Sequence, residues 1–294
     1  MNIKLLSVIF LISLFVSSCG TQKTTLSLNQ KASMAADTGN YEQATKQWEA
    51  YLAQNQETEN PVNAEIYAQL GKAYFHLERF DQSEAAFDQA RFKNYADADM
   101  YLMMSKNYHR IDNLSKEITV LEYYKDHLSP QGDSSFMRKR LFQTYVVSEN
   151  WDLAEQAWQV LGEDSKKEAD CLQDYFVVNK ALKKNEKCDT IALELLKVDA
   201  KNRKALDWMA KKYYDRAENR YQKSMNYYNK HKSTKNYNKL LKELDRVTAD
   251  FKKSLKYFDQ LWEMEDGHQY ASYLANIYAR FSDKKKSQYY KKFM

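Results

Sequence analysis

A four-position pattern recurs along this chain at nearly fixed spacing. Tyr67, Leu70, Gly71 and Tyr74 form its clearest copy, and Ser83 and Phe87 follow after a short gap. Tyr101, Met104, Ser105 and Tyr108 lead in the same way to Leu121. Leu141, Phe142 and Tyr145 lead to Ala154 and Trp158, and Leu206, Met209, Ala210 and Tyr213 lead to Ser254 and Phe258. Leu274, Ala275 and Tyr278 lead to Ser287. The final slot of the first half falls at 74, 108, 145, 179 (an Asn) and 213, in steps of 34, 37, 34 and 34. The small-residue slot falls at 83, 117 (a Glu), 154 and 188, nine residues after its partner. Two short antiparallel helices with a tight turn satisfy that spacing, and a period in this range marks a stacked repeat architecture.

Composition agrees. The 294 residues include only 6 Gly and 2 Pro, where average usage would give roughly 20 and 15. Turn-rich β folds and Gly-rich phosphate loops are thereby disfavoured, and a helical chain is favoured.

The motif resembles the tetratricopeptide repeat (TPR), with Leu-Gly and Tyr on the first helix and small-x3-aromatic on the second. The resemblance implies an all-α TPR α-solenoid of about seven helix-turn-helix repeats. A weaker copy lies around Leu172 and Cys188, and an N-terminal one has Ala32, Ala44 and Trp48. TPR surfaces of this kind bind extended peptides or partner helices. The repeat phase puts Lys72, Phe75, His76, Lys106, His109, Arg110, Lys139, Gln143 and Val146 on the concave face. Ala68 and Leu102 occupy slots where the carboxylate clamp of chaperone-binding TPRs needs polar groups.

The period breaks once. Tyr213 to Tyr278 spans 65 residues and Cys188 to Ser254 spans 66, about 31–32 more than one repeat. Tyr237, Leu240, Leu241, Leu244, Val247, Phe251, Leu255 and Phe258 keep helical period, and no Gly or Pro interrupts 203–230. We expect a long antiparallel helical hairpin inserted in the sixth repeat, turning within His231–Asn236. The alternative is one or two eroded repeats. The expected organisation is a signal peptide over 1–18, a tether over 19–26, five repeats over 27–202, the hairpin over 203–265 and capping helices over 266–294.

Residues 1–18 combine Lys4 with an apolar run from Leu5 to Val16, the form of a secretory signal. Val16-Ser17-Ser18-Cys19 resembles the lipobox of bacterial lipoproteins. That resemblance implies cleavage before Cys19 and fatty acylation of its sulfur, which would tether the chain to a membrane. An ordinary signal peptide with a chance Cys is the alternative. Gly20 is not the Asp of the inner-membrane retention signal, and Thr21–Thr24 lack the acidic cluster of surface-exported Bacteroidota lipoproteins. The resemblance therefore favours the periplasmic face of the outer membrane. Asp189-Thr190-Ile191 is similar to the short O-glycosylation pattern of the same group.

The net charge of +5 conceals an asymmetry. Residues 201–294 hold 23 Lys and Arg against 11 Asp and Glu, so the rest of the chain is net acidic. Nine cations crowd 211–240: Lys211, Lys212, Arg216, Arg220, Lys223, Lys230, Lys232, Lys235 and Lys239. Six Tyr interleave with them. They form either a solvated helical face or a docking surface for an anionic glycan, lipid or protein. Export argues against nucleic acid.

Nothing in the sequence assembles a catalytic set. The five His show no metal-ligand spacing, and no nucleophile motif stands in a credible context, so no cofactor, metal or enzymatic activity is expected. Cys171 and Cys188, offset by about five residues on antiparallel helices, are expected as buried free thiols. The reading is a non-enzymatic scaffold lipoprotein for envelope proteins. In architecture alone it resembles the adaptor lipoproteins of peptidoglycan hydrolases. The alternative is a module that binds glycan or anionic polymer through the basic hairpin.

Overall fold

The structure, a computed structural model, describes residues 26–55, 62–129 and 134–294. The signal peptide, Cys19, Pro61 and Pro130 lie outside the described residues. Among the described residues there is no strand, and fourteen α-helices pair in chain order. The chain divides into two compact units, one ending at Tyr95 and one beginning at Ala96.

The first unit holds α1 (Leu28–Asp37), α2 (Tyr41–Asn55), α3 (Ala64–His76) and α4 (Phe80–Phe92). Ser27 caps α1 in a capping box with Gln30, and Asn63 caps α3, which satisfies N–H groups left open at the helix starts. Ala32, Ala44, Trp48, Leu70, Ala73 and Tyr74 form the core. Trp48 Nε1 donates to Asn29 at 2.9 Å. Gly71 is there because nothing larger fits. A Cβ on it would lie 2.5 Å from the Phe87 ring, and the Ser83 hydroxyl reaches the Gly71 carbonyl at 2.8 Å.

The second unit holds α5 (Ala98–Arg110), α6 (Leu114–Tyr123), α7 (Ser135–Val147), α8 (Trp151–Gln159), α9 (Ala169–Ala181), α10 (Asn185–Val198), α11 (Arg203–Lys230), α12 (Thr234–Trp262), α13 (Ala271–Arg280) and α14 (Lys284–Lys291). A π-turn at Tyr124–Leu128 extends α6. The small-residue slots are all buried: Ser83, Ala154, Cys188, Ser254 and Ser287, together with Glu117.

Six of the seven pairs turn in one way. The residue four after the Tyr slot has positive φ at Glu78, Asp112, Glu149, Lys183 and Ser282, and Gly39 holds the equivalent place between α1 and α2. In each turn the next N–H bonds back five residues, as Arg79 to Tyr74, Asn113 to Tyr108, Asn150 to Tyr145 and Asp283 to Tyr278, all at 2.9 Å. This is the left-handed closure that ends many helices. Glycine suits it best, yet five of the six residues carry side chains.

The sixth pair in chain order, α11 with α12, lacks that turn. At the equivalent place Ala217 is helical and fully buried, so α11 continues to Lys230, 28 residues in all. Ser233 then caps α12, accepting from the Asn236 N–H at 3.2 Å, and α12 runs 29 residues. The near half of this pair packs into a core with Val247, Phe251, Phe258, Leu274, Ile277 and Tyr278. Arg280 of α13 fixes it further, with two bonds to Glu218 at 2.8 and 3.1 Å and its guanidinium 4.1 Å above the Tyr221 ring. Between Tyr221 and Val247 only Leu240 is buried.

Candidate binding surfaces

In the first unit, α3 places Lys72, Phe75 and His76 on its last turn. His76 is exposed and stacks on Tyr41, with ring centroids 4.3 Å apart. Phe75 is half-buried and meets Phe80 edge-on at 5.6 Å.

In the second unit the corresponding side chains connect α5, α7 and α9. Lys106 Nζ lies 5.6 Å over the Phe136 ring. His109 Nδ1 is 2.7 Å from the Arg140 guanidinium. Arg110 bonds Asn107 of its own helix at 3.2 Å. Lys139 pairs with Glu168 and, at 2.9 Å, with Asp170, to which Gln143 also donates at 3.2 Å. Burial pushes the Lys139 ammonium pKa down, but its bonds to Glu168 and Asp170 outweigh this and leave it above the ordinary lysine value. Val146 departs from the sequence expectation. It is buried and offers a partner little surface.

Sequence reasoning missed the centre of this cluster. Glu117 fills a slot that elsewhere holds a small residue, and its side chain is 2% exposed. Arg140 meets it with two bonds, at 2.5 and 2.9 Å. A carboxylate this deep requires a partner, so a Glu in a small-residue slot was itself the signal to look one repeat onward for a cation.

Glu168, Asp170 and Cys171 bring ligand-type atoms within 4.8 Å of one another. Lys139 already occupies the carboxylates there. The Cys171 thiol is raised to about 12 by burial and by neighbouring Asp170, so the group favours a protonated thiol beside an ammonium ion. Burial also raises the Cys188 thiol. Both cysteines are buried and free, as their offset implies.

The nine cations of the long pair divide into two sets. Lys211 pairs with Asp207 at 2.7 Å and Lys212 with Asp189 at 2.6 Å. Arg216 grips the buried Asp250 through two nitrogens, and Arg220 reaches the same carboxylate at 3.5 Å. These four serve internal packing. Lys223, Lys230, Lys232, Lys235 and Lys239 are exposed. Two adjoining hollows lie between the helices. One of about 480 Å³ is lined by Lys223, Tyr227, Lys239, Leu240, Lys242 and Arg246 among others, and one of about 570 Å³ by Arg216, Arg220, Lys223 and Glu243 among others. Among the described residues no helix is long and apolar enough to cross a membrane.

No family model and no curated protein matches this chain. Among solved structures, it is similar to YrrB, a TPR protein with an unusual peptide-binding site, at 14% identity and TM-score 0.48 over 61% of this chain and 89% of that one. It is also similar to the C-terminal part of a TPR repeat-containing protein from Cytophaga hutchinsonii, at 16% identity and TM-score 0.47 over 89% and 92%. A tetratricopeptide repeat protein from Parabacteroides merdae ATCC 43184 shares 14% identity at TM-score 0.43, over 90% of each chain. The helix pairs, their shared turns and their buried slots define an all-α repeat fold of the TPR kind.

Proposed function

We propose that this chain is a non-enzymatic scaffold of the bacterial cell envelope, tethered through acylated Cys19 on the periplasmic face of the outer membrane. It would dock envelope proteins that present a peptide or a helix. The observation that carries the reading is the side-chain network of α5, α7 and α9. His109 and Arg140, and Lys139 and Asp170, hold one another across successive helix pairs. A surface fixed before binding loses less side-chain entropy on association. The address rests on the first 24 residues alone.

The test is site-specific photocrosslinking in cells, with the crosslinker at position 109, followed by mass spectrometry of the membrane fraction. A defined set of envelope proteins is expected. Absence of any adduct above the uncrosslinked control overturns the scaffold. The anchor is tested separately: Cys19→Ser should release the chain into the soluble fraction after a salt wash, and retention overturns it. A thiol count gives a second readout. Denatured protein from membranes should titrate only Cys171 and Cys188, because an acylated Cys19 has no free thiol.

A further inference from the structure

The outer half of the long helix pair is poorly explained by stability. Of residues 222–246 only Leu240 is buried, while Tyr227, Tyr237 and Leu241 remain 51%, 46% and 43% exposed. A segment of this length with so small a core adds little to the fold, yet it carries seven Lys and Arg.

Four of those cations border the two adjoining hollows. Lys223 and Tyr227 come from α11, and Lys239, Leu240, Lys242 and Arg246 from α12, with Glu243 as the acidic member. Lys223 and Glu243 border both hollows, so the two form one groove. From Arg216 to Tyr227 it follows α11 for about 16 Å at 1.5 Å per residue. That length accommodates about five residues of extended chain. Glu243 is already paired, with Arg246 at 2.5 Å and Arg220 at 3.8 Å. Asp250 is held by Arg216 and Arg220. Lys223, Lys239 and Lys242 are left facing the groove without an acid.

We propose that this groove binds an acidic peptide segment of a partner protein, one carrying an apolar side chain among its carboxylates. The proposal rests on the scaffold reading and names a second docking site for it. Charge complementarity selects the carboxylates. The floor selects the apolar residue, because the open face of Tyr227, 51% exposed, would otherwise stay wet.

Fluorescence anisotropy on the full chain tests this, with a labelled peptide of Glu residues bearing a Leu or Phe at every third position. Wild type should bind it, more weakly as salt rises. The triple variant Lys223→Gln, Lys239→Gln and Lys242→Gln should lose roughly tenfold or more in affinity while keeping its helical circular dichroism. The matching Lys→Arg triple should retain binding. Tyr227→Ala should weaken it several-fold, and a probe with Gln in place of Glu should not bind. Equal affinity in wild type and the Gln triple overturns the site, as does absence of probe binding. Binding of sodium polyphosphate or phosphatidylglycerol vesicles without the peptide also overturns it, and assigns the groove to that other class. The crosslink at position 109 is independent of the probe. A failed probe with that crosslink intact therefore removes the arm site alone, and only loss of the crosslink removes the scaffold.

Discussion

The Ser254 hydroxyl donates to the Ala210 carbonyl at 2.8 Å, and the Ser83 hydroxyl donates to the Gly71 carbonyl at the same distance. Both bonds cross from the second helix of a pair to the same turn of the first. The two serines thus hold one register in two different pairs. Their separations from the acceptor are 44 and 12 residues, and the difference of 32 is the length by which α11 and α12 together outgrow an ordinary pair. The long pair therefore keeps the repeat's packing at its base and departs from it only beyond Ala217.

The outer arm should accordingly be removable. Deleting one heptad from each helix, 223–229 and 239–245, keeps the helical phase nearly unchanged, since seven residues make close to two turns. The Arg280 contacts to Glu218 and Tyr221 lie inward of the cut. The shortened chain should lose helical circular dichroism in proportion to the residues removed and unfold within a few degrees of the parent. A large fall in midpoint would show that the arm supports the fold.

The turns should gain from glycine. Glu149 and Lys183 sit at φ 58°, a conformation in which a Cβ meets the neighbouring carbonyl at a cost of about 1 kcal/mol. Both side chains are exposed. Glu149→Gly and Lys183→Gly should each stabilise the protein by about 0.5–1 kcal/mol in urea titrations. Destabilisation by either would mean that the side chain has a partner worth more than the strain.

These turns show where the sequence was legible. Tyr74, Tyr108, Tyr145 and Tyr278 announce the helix pairs because each must be buried on one stripe, and burial restricts residue type. The positive-φ site four residues later tolerates Glu, Asp, Lys or Ser, so it leaves no compositional trace, and scarce glycine concealed a strictly periodic backbone feature. The long pair was legible because Ala217 to Lys230 contains no helix breaker. The division of its cations was not. Lys212 and Lys223 look alike in sequence, and only three-dimensional proximity gives Asp189 to the first and a groove to the second. The burial of Val146 was hidden for the related reason that repeat phase assigns a face without saying how deeply a side chain on it is covered.

Asp174 on α9 should make stability fall with rising pH. Burial, and then the charge of Asp170, raises its pKa to about 6, against the opposing pull of Lys204 and Lys139. An unfolded Asp titrates near 3.9. Below that value both states are protonated and the site costs nothing. As pH rises from there through about 6, the folded chain must ionise a group that its surroundings disfavour, and the protonated form's advantage is lost. Asp174→Asn preserves the neutral shape. It should stabilise the protein by about 1–2 kcal/mol at pH 7.5, allowing for partial solvent screening, and by nearly nothing at pH 4. Equal effects at both pH values would place the gain elsewhere than in the carboxylate.

Arg140 carries the sharpest stability prediction, because its partner has no alternative. Glu117 is 2% exposed and occupies a slot shaped for a small residue. Its two strong bonds both come from Arg140, and His109 approaches only to 3.9 Å. Arg140→Met removes the cation and leaves a buried carboxylate behind, which should cost about 3–5 kcal/mol. Glu117→Ser alone strands a guanidinium that keeps 16% of its surface in water and the His109 ring at 2.7 Å, so it should cost less. The double variant, Glu117→Ser with Arg140→Met, puts into this slot the residue found at Ser83 and Ser254. It should recover most of the loss from Arg140→Met, since a buried ion pair exchanged for packed neutral groups is often near neutral in stability. Urea unfolding of the four proteins closes the cycle. If Arg140→Met costs less than about 1 kcal/mol, the pair is behaving as a surface salt bridge, and the network that fixes His109 between α5 and α7 is looser than its distances imply.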